Sequence, residues 1–82
     1  MKITAKGMFR KLGYIQENTL NDRFVSYKKQ YKSSVYCITF DLINKTYEVN
    51  HYDSKGERHT EILGIKEQIA IYKQVEELGW IL

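Results

Sequence analysis

Apolar residues recur along this chain at two different spacings, and the switch between them separates helical from extended segments. Over 4–12, Ala5, Met8, Phe9 and Leu12 fall at i, i+3, i+4 and i+7, the stripe of a short amphipathic helix. Gly13 stands where such a helix stops, and Tyr14 and Ile15 can fold back on its last turn. Gly7 within that stretch costs the helix about 1 kcal/mol relative to alanine. Residues 16–22 are polar and rich in turn formers, which predicts a loop.

From there the period falls to two. A strand is expected over 23–31, with Val25, Tyr27 and Tyr31 on one face. A second is expected over 35–43, where Tyr36, Ile38, Phe40 and Leu42 alternate with Cys37, Thr39 and Asp41. A third, over 46–52, turns Tyr47, Val49 and His51 to one side. A two-residue turn at Asn44-Lys45 would pair Leu42 with Tyr47, Phe40 with Val49 and Ile38 with His51. A two-residue turn near Lys32-Ser33 would set Tyr27 beside Ile38 and Val25 beside Phe40. Both registers keep the apolar set on one face, and a one-residue slip would destroy that agreement. Asp53-Ser54-Lys55-Gly56 reads as a turn with glycine in its left-handed position. The pattern leaves a fourth strand over 57–63 open, because Ile62 and Leu63 have opposite parity.

Helical spacing returns over 65–78. Ile65, Ile69, Tyr72 and Val75 form one broad apolar side, with Ile71 and Leu78 at its border. Gly64, with Glu67 three residues on, starts this helix, and Gly79 stops it. The two helix ends match, Leu12-Gly13-Tyr14-Ile15 and Leu78-Gly79-Trp80-Ile81. A glycine cap closed by a hydrophobic contact explains both. The expected fold class is therefore α+β in two layers: a short N-terminal helix, an antiparallel meander of three or four strands, and a long C-terminal helix packed on one face.

Composition narrows what such a fold can do. The 82 residues, 43% hydrophobic and 28% charged, suit one domain spanning 1–82, with little interior for an enclosed active site. A groove, a flat face or a strand edge is the more natural working surface. Cys37 is the only cysteine, so no disulfide can form within the chain. No apolar run reaches the length of a signal peptide or a membrane span, which points to the cytoplasm and away from membranes. A net charge of +3 is unevenly spread: residues 1–34 carry eight Lys or Arg against Glu17 and Asp22, and residues 35–82 are net acidic. Such asymmetry can mark an interaction surface.

Three stretches carry a resemblance. Lys11-Leu12-Gly13-Tyr14, Ile38-Thr39-Phe40-Asp41-Leu42 with Asn44-Lys45-Thr46, and Glu76-Glu77-Leu78-Gly79-Trp80 are similar to segments of short accessory proteins from phages and prophages of low-GC Gram-positive bacteria. The bias toward lysine and isoleucine fits that source. The resemblance implies a mobile-element protein acting on host machinery or DNA, and it carries no functional residues with it.

Four constellations compete for function. Arg23, Lys28, Lys29 and Lys32, interleaved with Phe24, Tyr27 and Tyr31, offer cations for phosphate and rings for stacking, as a nucleic-acid strand would; a lysine-protected edge strand is the plainer explanation and the one preferred. Phe24, Val35 and Tyr52, on the sheet face opposite the helix, would form a mixed patch suited to a host or phage protein. His51 and His59 would face each other if the turn from Asp53 to Glu57 has a three-residue loop, with Asp53 and Glu57 beside them, a weak pattern for a metal. Cys37 with either histidine suggests a nucleophile and base, but no P-loop, nucleophile elbow or metal-protease helix is present. The expectation is a non-catalytic interaction protein with no cofactor and no metal, binding a protein through its sheet face or a strand edge, with nucleic acid as the alternative. So thin a core also makes a homodimer unsurprising.

Overall fold

The computed structural model describes residues 3–17, 22–59 and 64–81, with 58–59 described as backbone only. Its elements run α1 (Ala5–Lys11), β1 (Ile15–Glu17), β2 (Phe24–Tyr31), β3 (Ser34–Asp41), β4 (Thr46–Tyr52), β5 (Arg58–His59) and α2 (Ile65–Glu77). The strands form one antiparallel sheet in sequence order. The fold class is the one the pattern predicts. The end of the expected fourth strand, 60–63, lies outside the described residues, as does 18–21 of the expected loop.

Local chemistry sets the helix boundaries. The Thr4 hydroxyl accepts from Gly7 N at 3.1 Å and caps α1. At the other end Gly13 takes φ +94°; its amide donates to Arg10 O and that of Tyr14 to Phe9 O, the pair of bonds of a Schellman cap. α2 ends the same way: Gly79 has φ +75°, its amide donates to Glu76 O, and Trp80 N donates to Val75 O. The matching Leu-Gly-aromatic-Ile ends are thus one capping device used twice. The two helices run antiparallel, tied where Ala5 N at the start of α1 donates to Glu77 Oε2 at the end of α2, at 2.8 Å.

The β2–β3 register is as expected, with Tyr27 opposite Ile38 and Val25 opposite Phe40. The β3–β4 register differs by two residues: Phe40 faces Tyr47, Ile38 faces Val49 and Tyr36 faces His51. Asp41 causes the shift. Its carboxylate accepts from the amides of Ile43 and Asn44, its carbonyl accepts from Lys45 N, and Lys45 turns left-handed at φ +56°. The chain therefore leaves β3 at Asp41, and Leu42 and Ile43 join a four-residue loop instead of extending the strand. A shift of two preserves the faces, so the apolar side stays intact. β1 is an element the sequence reading missed; Gln16 and Glu17 pair with Tyr27 and Ser26 within what reads as loop.

Both helices lie on the same face of the sheet. Phe9 stacks on Tyr27, with ring centroids 4.2 Å apart, and meets Phe40 edge-on; Trp80 closes over Phe40 at 6.3 Å. Ala5, Phe9, Tyr14, Tyr27, Ile38, Phe40, Ala70 and Ile71 form the core. The face that α2 buries corrects the sequence reading. Ala70, Ile71 and Gln74 point inward, while Ile65, Ile69 and Tyr72, expected in the core, are exposed. Ala70 is small enough to seat the helix over the aromatic cluster, and Gln74 accepts the phenolic proton of buried Tyr27. That polar tip needs a partner when buried, and this rotation of α2 brings it one.

Candidate functional site

The sheet face turned away from the helices carries the expected residues in ordered rows: Gln30–Val35–Tyr52, Lys28–Cys37–Asn50, Ser26–Thr39–Glu48 and Phe24–Asp41–Thr46. Val35 and Tyr52 are direct cross-strand neighbours. Phe24 lies opposite Asp41, six positions along β3 from Val35, which is roughly 20 Å at the rise of a strand. The structure thus brings together two of the three expected protein-binding residues and leaves the third at the far end. Polar pairs occupy the space between them. Ser26 Oγ and Thr39 Oγ1 lie 3.1 Å apart, Lys28 Nζ stands 3.6 Å from Glu17, and Arg23 grips Asp41 through Nε and Nη2 at 3.2 and 3.0 Å.

The four expected phosphate-binding cations do not share a surface. Arg23 is committed to Asp41, and its guanidinium lies 5.2 Å from the Phe24 ring. Lys28 is on the open face beside Glu17. Lys29 points to the opposite face, over the rings of Tyr14 and Tyr36 at 5.1 and 5.5 Å. Lys32 sits in the β2–β3 turn at φ +55°, over Tyr31. Period-two alternation is the reason: adjacent Lys28 and Lys29 must face opposite ways.

Cys37 and His51 are also on opposite faces, because His51 pairs with Tyr36 and not with Cys37. Burial, with Glu17 adding to it, raises the Cys37 thiol above its ordinary pKa against the opposing pull of Lys28, the direction that disfavours the thiolate. The three-residue loop does form, with Asp53 N donating to Glu57 O, and it sets His51 opposite His59. His51 stacks flat on Tyr36, centroids 4.3 Å apart. The Asp53 carboxylate accepts from the amides of Lys55 and Glu57 and so serves the turn. Among the described residues no three His, Cys, Asp or Glu side chains gather to hold a metal ion, and no helix is long and apolar enough to cross a membrane.

The surface that sequence reasoning missed is on the helical layer. Ile65 is 73% exposed, Ile3 66%, Tyr72 61% and Ile69 51%. Ile65, Ile69 and Tyr72 stand at i, i+4 and i+7 and make a ridge along the outside of α2. On one side of the ridge a groove of about 390 Å³ runs between the helices, lined by Ile3, Met8, Leu12 and Ile69 with Lys11 and Lys66. On the other side a depression of about 310 Å³ separates α2 from Tyr47 on β4. One signal in the sequence pointed here: Ala70, Ile71, Gln74, Val75 and Leu78 share one face of α2 that carries no charge, and a buried tyrosine on the facing strand would draw Gln74 inward.

The chain matches no protein-family model, no curated protein and no solved structure.

Proposed function

We propose that this protein is a non-catalytic interaction module that binds another protein through its helical layer. One observation carries the reading: three large apolar side chains on one helix, Ile65, Ile69 and Tyr72, are each more than half exposed. Ile15, Ile43 and Tyr31 are also exposed but stand apart, whereas three uncovered in one row on a helix favour a partner that covers them. The open sheet face is the weaker docking surface, because its charges and hydroxyls already satisfy one another and Phe24 stands apart from Val35 and Tyr52. Binding of nucleic acid through Arg23, Lys28, Lys29 and Lys32 is weaker still, because those cations diverge. Origin in a phage or prophage of a low-GC Gram-positive bacterium, action inside the host cell, and a host or phage protein as partner rest on the sequence resemblance and belong to the same proposal.

The test is affinity capture from a low-GC Gram-positive lysate with nuclease present throughout, run in parallel on wild type and two variants. The proposal expects a stoichiometric protein that survives nuclease, is lost with Ile65→Asp/Tyr72→Asp and is kept by Val35→Thr/Tyr52→Ser. Loss only with the second variant would move the site to the sheet. Retention of nucleic acid alone without nuclease would replace the reading with its rival.

A further inference from the structure

The geometry points to the groove between α1 and α2 as a docking site for an acidic amphipathic segment of a partner protein. This inference rests on the interaction reading above and names the chemistry of the partner. The floor is apolar, made by Ile3 from the chain leading into α1, Met8 from α1, Leu12 at its cap and Ile69 from α2. Its volume of about 390 Å³ admits a pair of aliphatic side chains but not a whole helix, so the occupant would anchor by side chains and lie along the surface. Among the described residues the charged lining is two lysines, Lys11 from α1 and Lys66 from α2, with no carboxylate beside them. Among the described residues neither lysine is in a salt bridge.

Charge selects among the possible occupants. A carboxylate following an apolar anchor would meet Lys11 or Lys66 at the rim, and an apolar segment flanked by lysines would be repelled there. A second copy of this chain fits poorly on two grounds. The chain is net +3, and α1 itself exposes Lys6, Arg10 and Lys11. Antiparallel pairing of two α2 helices about a twofold between Ile69 and Tyr72 would also set Ile65 of one copy over Glu76 of the other. An anionic membrane would satisfy the lysines, but a flat surface leaves a concave floor unfilled.

The test uses two labelled peptides of one design, leucines at i, i+3, i+4 and i+7, with glutamates at the other positions in one and lysines in the other. Fluorescence anisotropy reads binding to the full chain, and amide chemical shifts locate it. The glutamate peptide is expected to bind about tenfold or more tightly than the lysine peptide, weakening as salt rises. Shifts should concentrate at Met8, Leu12, Lys66 and Ile69. Lys11→Glu/Lys66→Glu should reverse the preference while leaving the melting temperature near wild type, since both side chains are exposed. Equal affinity for the two peptides, no binding of either, or a preference unmoved by the double charge reversal overturns the assignment. So does binding to anionic phosphatidylglycerol vesicles without binding to the glutamate peptide. A captured partner that needs Tyr72 but ignores Lys11 and Lys66 would sink the groove while the interaction reading stands.

Discussion

Tyr27, in the middle of the covered face of the sheet, donates its phenolic proton to the side-chain carbonyl of Gln74 on α2, and both residues are buried. This bond fixes how the long helix is turned. Tyr27→Phe would leave the Gln74 carbonyl buried without its donor, at a cost of about 1–3 kcal/mol. Gln74→Leu would strand the hydroxyl at a similar cost, and the double variant should recover much of the loss. Urea unfolding of the four proteins closes the cycle; a coupling energy near zero would show that the bond contributes nothing. The same phenol predicts an alkaline limit. Burial, helped by the negative charge of Glu77, pushes its pKa from 10.0 up to about 12. The unfolded phenol thus loses its proton at a lower pH than the folded one. The stability Tyr27 contributes is complete below pH 10.0 and is lost as pH rises toward about 12. Tyr27→Phe should show a shallower fall in stability across that window than wild type, the other tyrosines being common to both.

Asp41 predicts the opposite limit. Its carboxylate takes two bonds from the Arg23 guanidinium, one each from the amides of Ile43 and Asn44, and one from the Asn44 side chain at 3.0 Å. Arg23 is the largest cause holding it well below the ordinary carboxylate pKa of 3.8. A depressed folded-state pKa contributes stability that is present above the unfolded value and is lost as pH falls below it. Asp41→Asn keeps an oxygen for the turn amides but loses the charge, and Asp41→Ala loses both. Melting temperatures at neutral pH should fall in the order wild type, Asp41→Asn, Asp41→Ala. Below pH 3.8 the gap between the first two should narrow. A gap that holds constant with pH would dismiss the ion pair as its cause.

The paired helix caps differ in one measurable respect. A Cβ at Gly79 would meet nothing within 4 Å, whereas one at Gly13 would stand 3.0 Å from Lys29 Cδ. Gly79→Ala therefore suffers only the left-handed backbone, about 1 kcal/mol. Gly13→Ala suffers that and must also displace the Lys29 stem, which lies over Tyr14 and Tyr36. Denaturant midpoints should rank Gly13→Ala below Gly79→Ala, and equal losses would show that Lys29 moves aside freely.

How far the sequence foretold this molecule depends on which force decides each element. Caps are local, so Leu12-Gly13-Tyr14 and Leu78-Gly79-Trp80 were legible. The β2–β3 register followed from alternation and a two-residue turn. The β3–β4 turn was misplaced because a side chain decides it: Asp41 captures the amides of Ile43 and Asn44 and ends the strand early, an effect hydropathy does not weigh. β1 was missed because three half-polar residues carry no period of their own and become a strand only by pairing with Tyr27 and its neighbours. The docking surface was missed for the most instructive reason. The widest apolar arc of α2 reads as its core face, yet a tyrosine 47 positions earlier needs a buried acceptor and turns that arc outward.

The two faces of α2 give the sharpest test of this account. Gln74 lies five positions from Ile69, roughly 140° around the helix axis, so the two residues cannot both be buried against the sheet. Ile71 is 5% exposed and belongs to the core, and Ile71→Ala should cost about 2–4 kcal/mol. Ala70 is fully buried under the aromatic cluster, and Ala70→Leu should cost about 1–3 kcal/mol by overpacking. Ile65→Ser removes a side chain that is 73% exposed and should change stability by about 0.5 kcal/mol or less, and Ile69→Ser, half-buried against the groove, should cost about 1 kcal/mol, well short of Ile71→Ala. Urea unfolding of these four variants decides between the two orientations. If Ile69→Ser proved as damaging as Ile71→Ala, the apolar arc would be the core after all and the helical docking surface would vanish with it. If Ile69→Ser kept most of its stability and lost the captured partner, the uncovered ridge would be held for binding, since folding would have little use for it.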